Sequence, residues 1–350
     1  MNTSFLLVAF AATAAVAAQT TQHTVIPATH QTSDAPGRLW LPGGTVALRQ
    51  QQVIDAVLLQ GMVGQTITAI EFRRNAENTA LAGGTLGLTV TLSITPTGPL
   101  TTSETFAQNV GPNPVQVWNG PLTLPASPAN VTPTWMPADV LRIPFQSPFL
   151  YSGGNLCLDV VGSPIGTPAG WWPADAAAEP ITATTTDRGG GCGPYGFVPG
   201  HWSFADVRTL LPGTTASFSA IGPSNSFAVV AFGVEDLTGW PLGLVLPQAP
   251  PSCTVHLALP IEIAVVPFLP NPPTNPRAEY RLPIPNSPNM PGVSLTTQWV
   301  EWTHQASSNA ITWTIGTTPT LLMSHVEGAA SDASGQVLVD RAHVVRFEHN

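Results

Sequence analysis

The chain has no lysine: all eleven of its Lys and Arg side chains are arginine. That absence excludes several chemistries at once, because a P-loop needs a lysine on its phosphates, a Schiff-base enzyme needs an amine, and Ser-Lys and kinase-type sites need the same group. Charge of either sign is scarce, 9% of residues with a formal net charge of −9, where soluble domains usually carry about 25% charged residues. The arginines are scattered, only Arg73 and Arg74 being adjacent, and the balance is acidic, so no basic stripe is available for nucleic acid. The eight histidines show neither HExxH nor HxH spacing, and no DxDxDG loop is present, so the sequence implies no metal centre and no cofactor. SDASG at 331–335 resembles half of a calcium loop but has the composition of a turn. A GxSxG elbow is missing too, and the twenty acids are dispersed, so neither a serine nucleophile nor a carboxylate pair can be picked out.

What is present begins with MNTSFLLVAFAATAAVAAQT, an apolar run from Phe5 to Ala18 ending in small residues. Residues 1–18 read as a secretory signal peptide, because the run is shorter than the ~18 to 20 residues of a membrane span and its end suits cleavage. No later run is long and apolar enough to span a bilayer. A secreted or cell-envelope-associated protein is expected, and its solubility must rest on Thr, Ser, Asn and Gln.

The remaining length exceeds one ordinary domain and predicts two. Period-2 alternation is clear in LTVTLSIT, where Leu88, Val90, Leu92 and Ile94 share one face and Thr89, Thr91, Ser93 and Thr95 the other. ITWTIG turns Ile311, Trp313 and Ile315 inward, and CTVHLAL places Cys253, Val255, Leu257 and Leu259 on one face. Trp299 and Trp302, three apart in a strand, must face opposite ways. The 31 glycines and 37 prolines punctuate these runs, and no second helical pattern accompanies them. The fold class is therefore all-β, of sandwich or jelly-roll type. RQQQVIDAVLLQG at 49–61 has apolar spacing that fits a strand or a short helix, and periodicity alone leaves both open.

Three stretches resemble, in order and spacing, a β-sandwich module that recurs in uncharacterised exported bacterial proteins: RQQQVIDAVLLQG…ITAIEFRRN, LTVTLSITPTGPLTTSETFAQNVG and FLYSGGNLCLDVVG. In that module the RQQQVIDA-like run is a strand. A second block, from GGGCGP through FAVVAFGV, PSCTVHLAL, YRLPIPNSPNMPGVSLTTQWVEW and SSNAITWTIG, resembles another module of such proteins. Neither has an established activity, so the resemblance implies architecture and no chemistry. The first module normally ends in a VVxF strand, which is missing before residue 188 and resembled by VVRF at 344–347. This implies two antiparallel jelly-roll-like sandwiches, one of residues 19–187 plus 317–350 and the other of 188–316 inserted into it. The resemblance also puts Cys192 and Cys253 in one module and implies that they pair, leaving Cys157 as a buried free thiol; Cys157–Cys192 is the alternative.

DRGGGCGPYGFVPGHW at 187–202 invites a cradle or a reactive-thiol reading. Its glycines run into PYGFVPG, which cannot start a helix, and an oxidising compartment favours a bridge, so a stapled connection is expected. Tryptophan is the enriched aromatic, ten residues against three tyrosines. Trp171 and Trp172 stand in the loop GTPAGWWPAD, where a flat apolar ring beside polar groups would suit stacking on sugars. The expected function is non-enzymatic: a structural, adhesive or carbohydrate-binding protein whose partners are extracellular polysaccharide or cell-envelope components. The competing class is an extracellular hydrolase acting on polysaccharide or peptide.

Overall fold

A computed structural model describes residues 20–166, 172–195, 198, 200–271 and 274–350. Residues 1–18 and Trp171 therefore lie outside the described residues. Among those described, regular structure is almost entirely antiparallel sheet, with short helices such as Phe106–Asn109 and, the longest, the 3-10 helix Ala56–Met62.

One six-stranded sheet runs in the order Gln336–Leu338, Met323–Ala329, Leu48–Ile54, Asn155–Pro164, Gly84–Thr95, Val115–Leu124. A four-stranded sheet, Gln22–Ile26, Val345–His349, Thr66–Arg73, Val140–Leu150, supplies the other half of the same core. Between the strands, register decides what faces inward. Met323, Ile54, Leu156 and Ile94 form one cross-strand row, His325, Gln52, Leu158 and Leu92 the next, and Glu327, Gln50, Val160 and Val90 the third. The rows grow more polar toward the edge where a small sheet (Gly37–Trp40, Pro173–Ala178, Arg341–His343) crosses. The core they build takes residues from 25–177 and again from 321–347.

A second core takes residues from 183–315, plus Val339. Its larger sheet runs Thr184–Gly189, Ala310–Thr314, Ser294–Glu301, Phe227–Pro241, Thr254–Pro267, and the smaller runs Ser203–Ala205, Thr215–Ile221, Thr274–Pro283, Leu269–Asn271. Phe218 is the centre, with ring centroids 4.9 Å from Phe232 and 5.1 Å from Trp313, edge and tilted geometries that aromatic quadrupoles favour. Trp299 is buried and Trp302 is 59% exposed, as their spacing requires. The strand Thr184–Gly189 pairs with Ala310–Thr314, so pairing within the second sheet starts a few residues before 188.

Three readings of the sequence change. Only Leu48–Ile54 of the RQQQVIDAVLLQG run is strand; Asp55 then accepts a hydrogen bond from the Val57 amide at 2.9 Å and starts a 3-10 helix over Ala56–Met62, the work of an N-cap carboxylate. Ser93 and Thr95 are buried, not solvated, because the segment after Thr95 folds back over them and the Gly111 amide donates to Ser93 Oγ at 3.0 Å. Leu259 is 63% exposed while Cys253, Val255 and Leu257 are buried. Irregularities at Phe232/Gly233 and Val234/Glu235 pair Leu259 with Val234 but Leu257 with Glu235, and an extra residue in one strand reverses the side-chain alternation beyond it.

Candidate functional site

The glycine-rich stretch is a crossing point of backbones. A Cβ on Gly191 would lie 1.7 Å from the Gly200 carbonyl oxygen, so neither chain could approach the other with a side chain present. Around this crossing the Gly190 carbonyl accepts from the Thr254 amide at 2.9 Å, and the Cys192 amide donates to Ser307 at 2.8 Å. Cys192 is bridged to Cys253, with Cα atoms 5.0 Å apart, within the ordinary range for a disulfide. Asp187 Oδ2 lies 2.8 Å from His201 Nδ1 and accepts from Asn309 Nδ2 at 3.0 Å. No hydroxyl or thiol is hydrogen-bonded to the His201 ring among the described residues, so this acid–imidazole pair has no nucleophile.

Cys157 is free and buried. Burial, then the neighbouring Asp159 carboxylate, pushes its thiol up to about 12, so it stays protonated and inert. Ser226, Glu301 and His304 make a second grouping of triad composition in the wrong order. Ser226 Oγ donates to the Glu301 carboxylate, which also lies 2.9 Å from His304 Nδ1 and accepts the His304 amide at 2.7 Å. Burial alone would raise the Glu301 carboxyl, but Ser226, the His304 and Thr303 amides and the His304 ring bring it below the usual range. The acid stands between serine and histidine, so the serine proton has no path to the imidazole.

Trp172 is 1% exposed and belongs to the first core. Its carbonyl accepts from the Leu41 amide at 3.2 Å and it leads directly into the strand Pro173–Ala178, so the backbone pairing that holds it turns the ring inward. An exposed stacking shelf at Trp172 is therefore corrected to a core residue, and Trp171 lies outside the described residues.

The glutamines of RQQQ are buried and organise what lies above them. Gln51 donates to the Phe106 carbonyl and to Asp159 Oδ2, both at 3.0 Å, and accepts from Asn109 Nδ2 at 3.0 Å. Asn109 in turn accepts the Ser103 amide at 2.8 Å. On the other face, Gln52 exchanges two hydrogen bonds with the His343 backbone, at 2.9 and 3.2 Å. A strand glutamine thus fixes the turn Phe106–Asn109, and that turn fixes the Thr- and Ser-rich loop before it.

That loop forms one wall of a polar cleft of about 440 Å³, whose other wall comes from the second core. Thr101, Thr102, Ser103 and Gln108 face Arg208, Thr214, Thr215 and Arg281. The walls meet where Arg281 Nη2 donates to Glu104 Oε2 at 2.5 Å, two residues 177 positions apart. On the far side of Glu104 and Thr209 lies a second recess of about 410 Å³, where Phe204 stands with Arg277, Glu279, Ser217 and Ser219. Phe204 is 41% exposed. Carboxylates of this cleft are engaged: Glu279 accepts from Arg281 Nε at 2.9 Å and from Ser217 Oγ at 3.0 Å, and Asp206 caps a turn by accepting the Arg208 amide at 3.0 Å. Nothing in the sequence flagged Glu104, Phe204 or Arg281, because their relation exists only across the two cores.

No grouping of three or more His, Cys, Asp or Glu side chains suited to a metal occurs among the described residues, and no helix among them is long and apolar enough to cross a membrane. No family model matches the chain, and no curated protein matches it.

Proposed function

We propose that the protein is an exported, non-enzymatic binding protein that holds extracellular polysaccharide in the Glu104–Arg281 cleft, with an adhesive or structural role at the cell surface or outside the cell. The observation that carries this reading is the composition of the cleft and of the recess beside it: hydroxyl and amide side chains and guanidinium groups in the cleft, and one partly exposed aromatic ring, Phe204, in the recess beyond Glu104. Sugars combine hydroxyl edges with an apolar ring face, and this set supplies donors, acceptors and a stacking surface together. Arg281 and Arg208 favour a polysaccharide carrying carboxylate or sulfate, since a guanidinium fork matches such groups. Hydrolysis is disfavoured because it needs one carboxyl free to give a proton and another free to attack or activate water, whereas Glu104 and Glu279 share one guanidinium and Asp206 is spent on a turn. Retention of the mature protein on acidic and neutral polysaccharides, run beside a generic hydrolase panel, tests the reading. Retention without cleavage, weakened about tenfold or more by Phe204→Ala with Arg281→Ala, is the expected result; cleavage of any polymer by the purified protein would favour the hydrolase.

The same reading takes the chain as two β-sandwich domains, residues 188–316 inserted into a sandwich of 19–187 plus 317–350. Support comes from the pairing of Val345–His349 with Gln22–Ile26 and Thr66–Arg73, and from cores that divide along the same lines except at Ala183 and Val339, which join the second. Insertion at a loop is entropically cheap. Limited proteolysis near 180 and 318 should leave two resistant fragments, the outer one made of both chain ends.

A further inference from the structure

On the outer face of the second core's larger sheet, the half built by Phe227–Pro241 and Thr254–Pro267 is apolar and is covered by no other element among the described residues, whereas toward Ala310–Thr314 the face turns polar, with Thr296, Thr312 and the Arg188–Glu235 ion pair. Val300, Val229 and Val265 form one cross-strand row on it, Gln298, Ala231 and Ile263 the next, and Phe227 lies opposite Pro267 with Trp302 donating its amide to the Phe227 carbonyl. Beyond the irregularity at Gly233, the strand Thr254–Pro267 sets Ile263 and Val265 on this face at 60% and 68% exposed, with Ile261 beside them at 63%. Its one acidic residue, Glu262, points the other way and accepts a hydrogen bond from Tyr280. Leu244 and Val245 flank the face at 75% and 62% exposed. Between them and the sheet runs an apolar trough of about 190 Å³, with Trp302 on its rim.

We propose that this face binds a second copy of the chain in a two-fold dimer. The exposed side chains present on the order of 1,000 Å² of apolar surface, more than the ~300 to 600 Å² of the largest patch on a soluble monomer and enough for the ~800 Å² per partner of a stable interface. The strand is also a sheet edge, bonded on one side only, and it lacks the outward charges that normally protect such an edge. The apolar half carries no charge and so offers little to a charged partner, whereas a two-fold contact requires a surface complementary to itself. This one carries both a recess and a ridge: a dry apolar void of roughly 150 Å³ accepts a benzene-sized ring, so the trough of one copy receives Trp302 of the other. A lipid surface fits less well, because the chain is acidic and the trough lining contains no arginine, while peripheral membrane binding draws on basic residues.

The inference is independent of the cleft, since it uses none of its residues. Sedimentation of the mature protein over a concentration series tests it, with Trp302→Ser, with Ile263→Glu plus Val265→Glu, and with Val131→Glu as an exposed control in the first core. Expected are a reversible dimer that tightens with added salt, a dissociation constant raised about 30-fold or more by Trp302→Ser, as for a buried aromatic anchor, and no change for the control. In the unmodified chain, hydrogen exchange across 259–267 should slow as concentration rises, a readout that needs no variant to fold. A monomer at every concentration, a dimer indifferent to both sets of variants, or capture by neutral phosphatidylcholine vesicles in place of dimerisation would overturn the proposal.

Discussion

The two cores both bury rings and polar side chains but are closed by different means. The second is sealed by a covalent staple and a cluster of aromatic rings, Cys192–Cys253 beside Trp202, Trp299, Trp313, Phe218 and Phe232. The first holds no disulfide and, where the second buries Gln298, Glu301 and Asn309, buries a full ion pair, Arg73 with Asp175, beside Gln50, Gln51 and Gln52 and the neighbouring rings of His325 and His343. A bridge mainly restricts the unfolded chain, whereas a buried polar network specifies one arrangement and penalises every other. The difference follows where the chain must close. Strands from both ends of the sequence meet in the first core, and the Gln52–His343 exchange, across 291 positions, selects their register.

The comparison breaks most sharply at Arg73. It is 1% exposed and paired with the fully buried Asp175, which also accepts the Ala35 amide at 2.9 Å. Arg73→Met should cost about 3 to 5 kcal/mol, because an uncompensated carboxylate is left in the interior; urea unfolding followed by first-core fluorescence or exchange measures it. Next comes the staple. Cys192→Ala with Cys253→Ala opens a loop spanning 61 positions and should cost about 2 to 4 kcal/mol, with earlier exchange in the second core and little change in the first.

A third contrast appears with acid. Burial, then the His325 ring, lowers the His343 imidazole well below its ordinary 6.5. The unfolded chain therefore binds a proton that the folded chain refuses as pH falls below about 6.5, so this contribution is whole above that pH and is lost on acidification. First-core stability should fall by up to about 1.4 kcal/mol per pH unit below that point, and His343→Gln should flatten the slope. The smallest effect belongs to the cleft: Arg281 is half exposed, and Arg281→Ala should change unfolding by no more than about 1 kcal/mol while weakening polysaccharide retention.

Alternation made much of the architecture readable. Leu88, Val90, Leu92, Trp313, Ile315 and the Trp299/Trp302 pair stand where a period of two puts them, because those strands pair regularly. Leu259 does not, since extra residues in its own strand reset the faces and no residue type announces them. Trp172 looked like a loop residue, yet it leads a strand whose partners lie more than a hundred positions away. Ser93 did not stay wet, for the covering segment is held by Gln51 and Asn109, a relation invisible without the sheet. The cleft was illegible for the same reason: Glu104 and Arg281 become neighbours only when the two cores are set side by side.

The proposed function turns on whether that meeting place binds a polymer or cuts one. The most direct measurement is retention of the mature protein on a panel of acidic and neutral polysaccharides, with reducing ends counted in the same samples and the Phe204→Ala, Arg281→Ala variant alongside. Retention that the double variant loses, with no new reducing ends, is the predicted result. New reducing ends, or retention that the variant leaves unchanged, would contradict it.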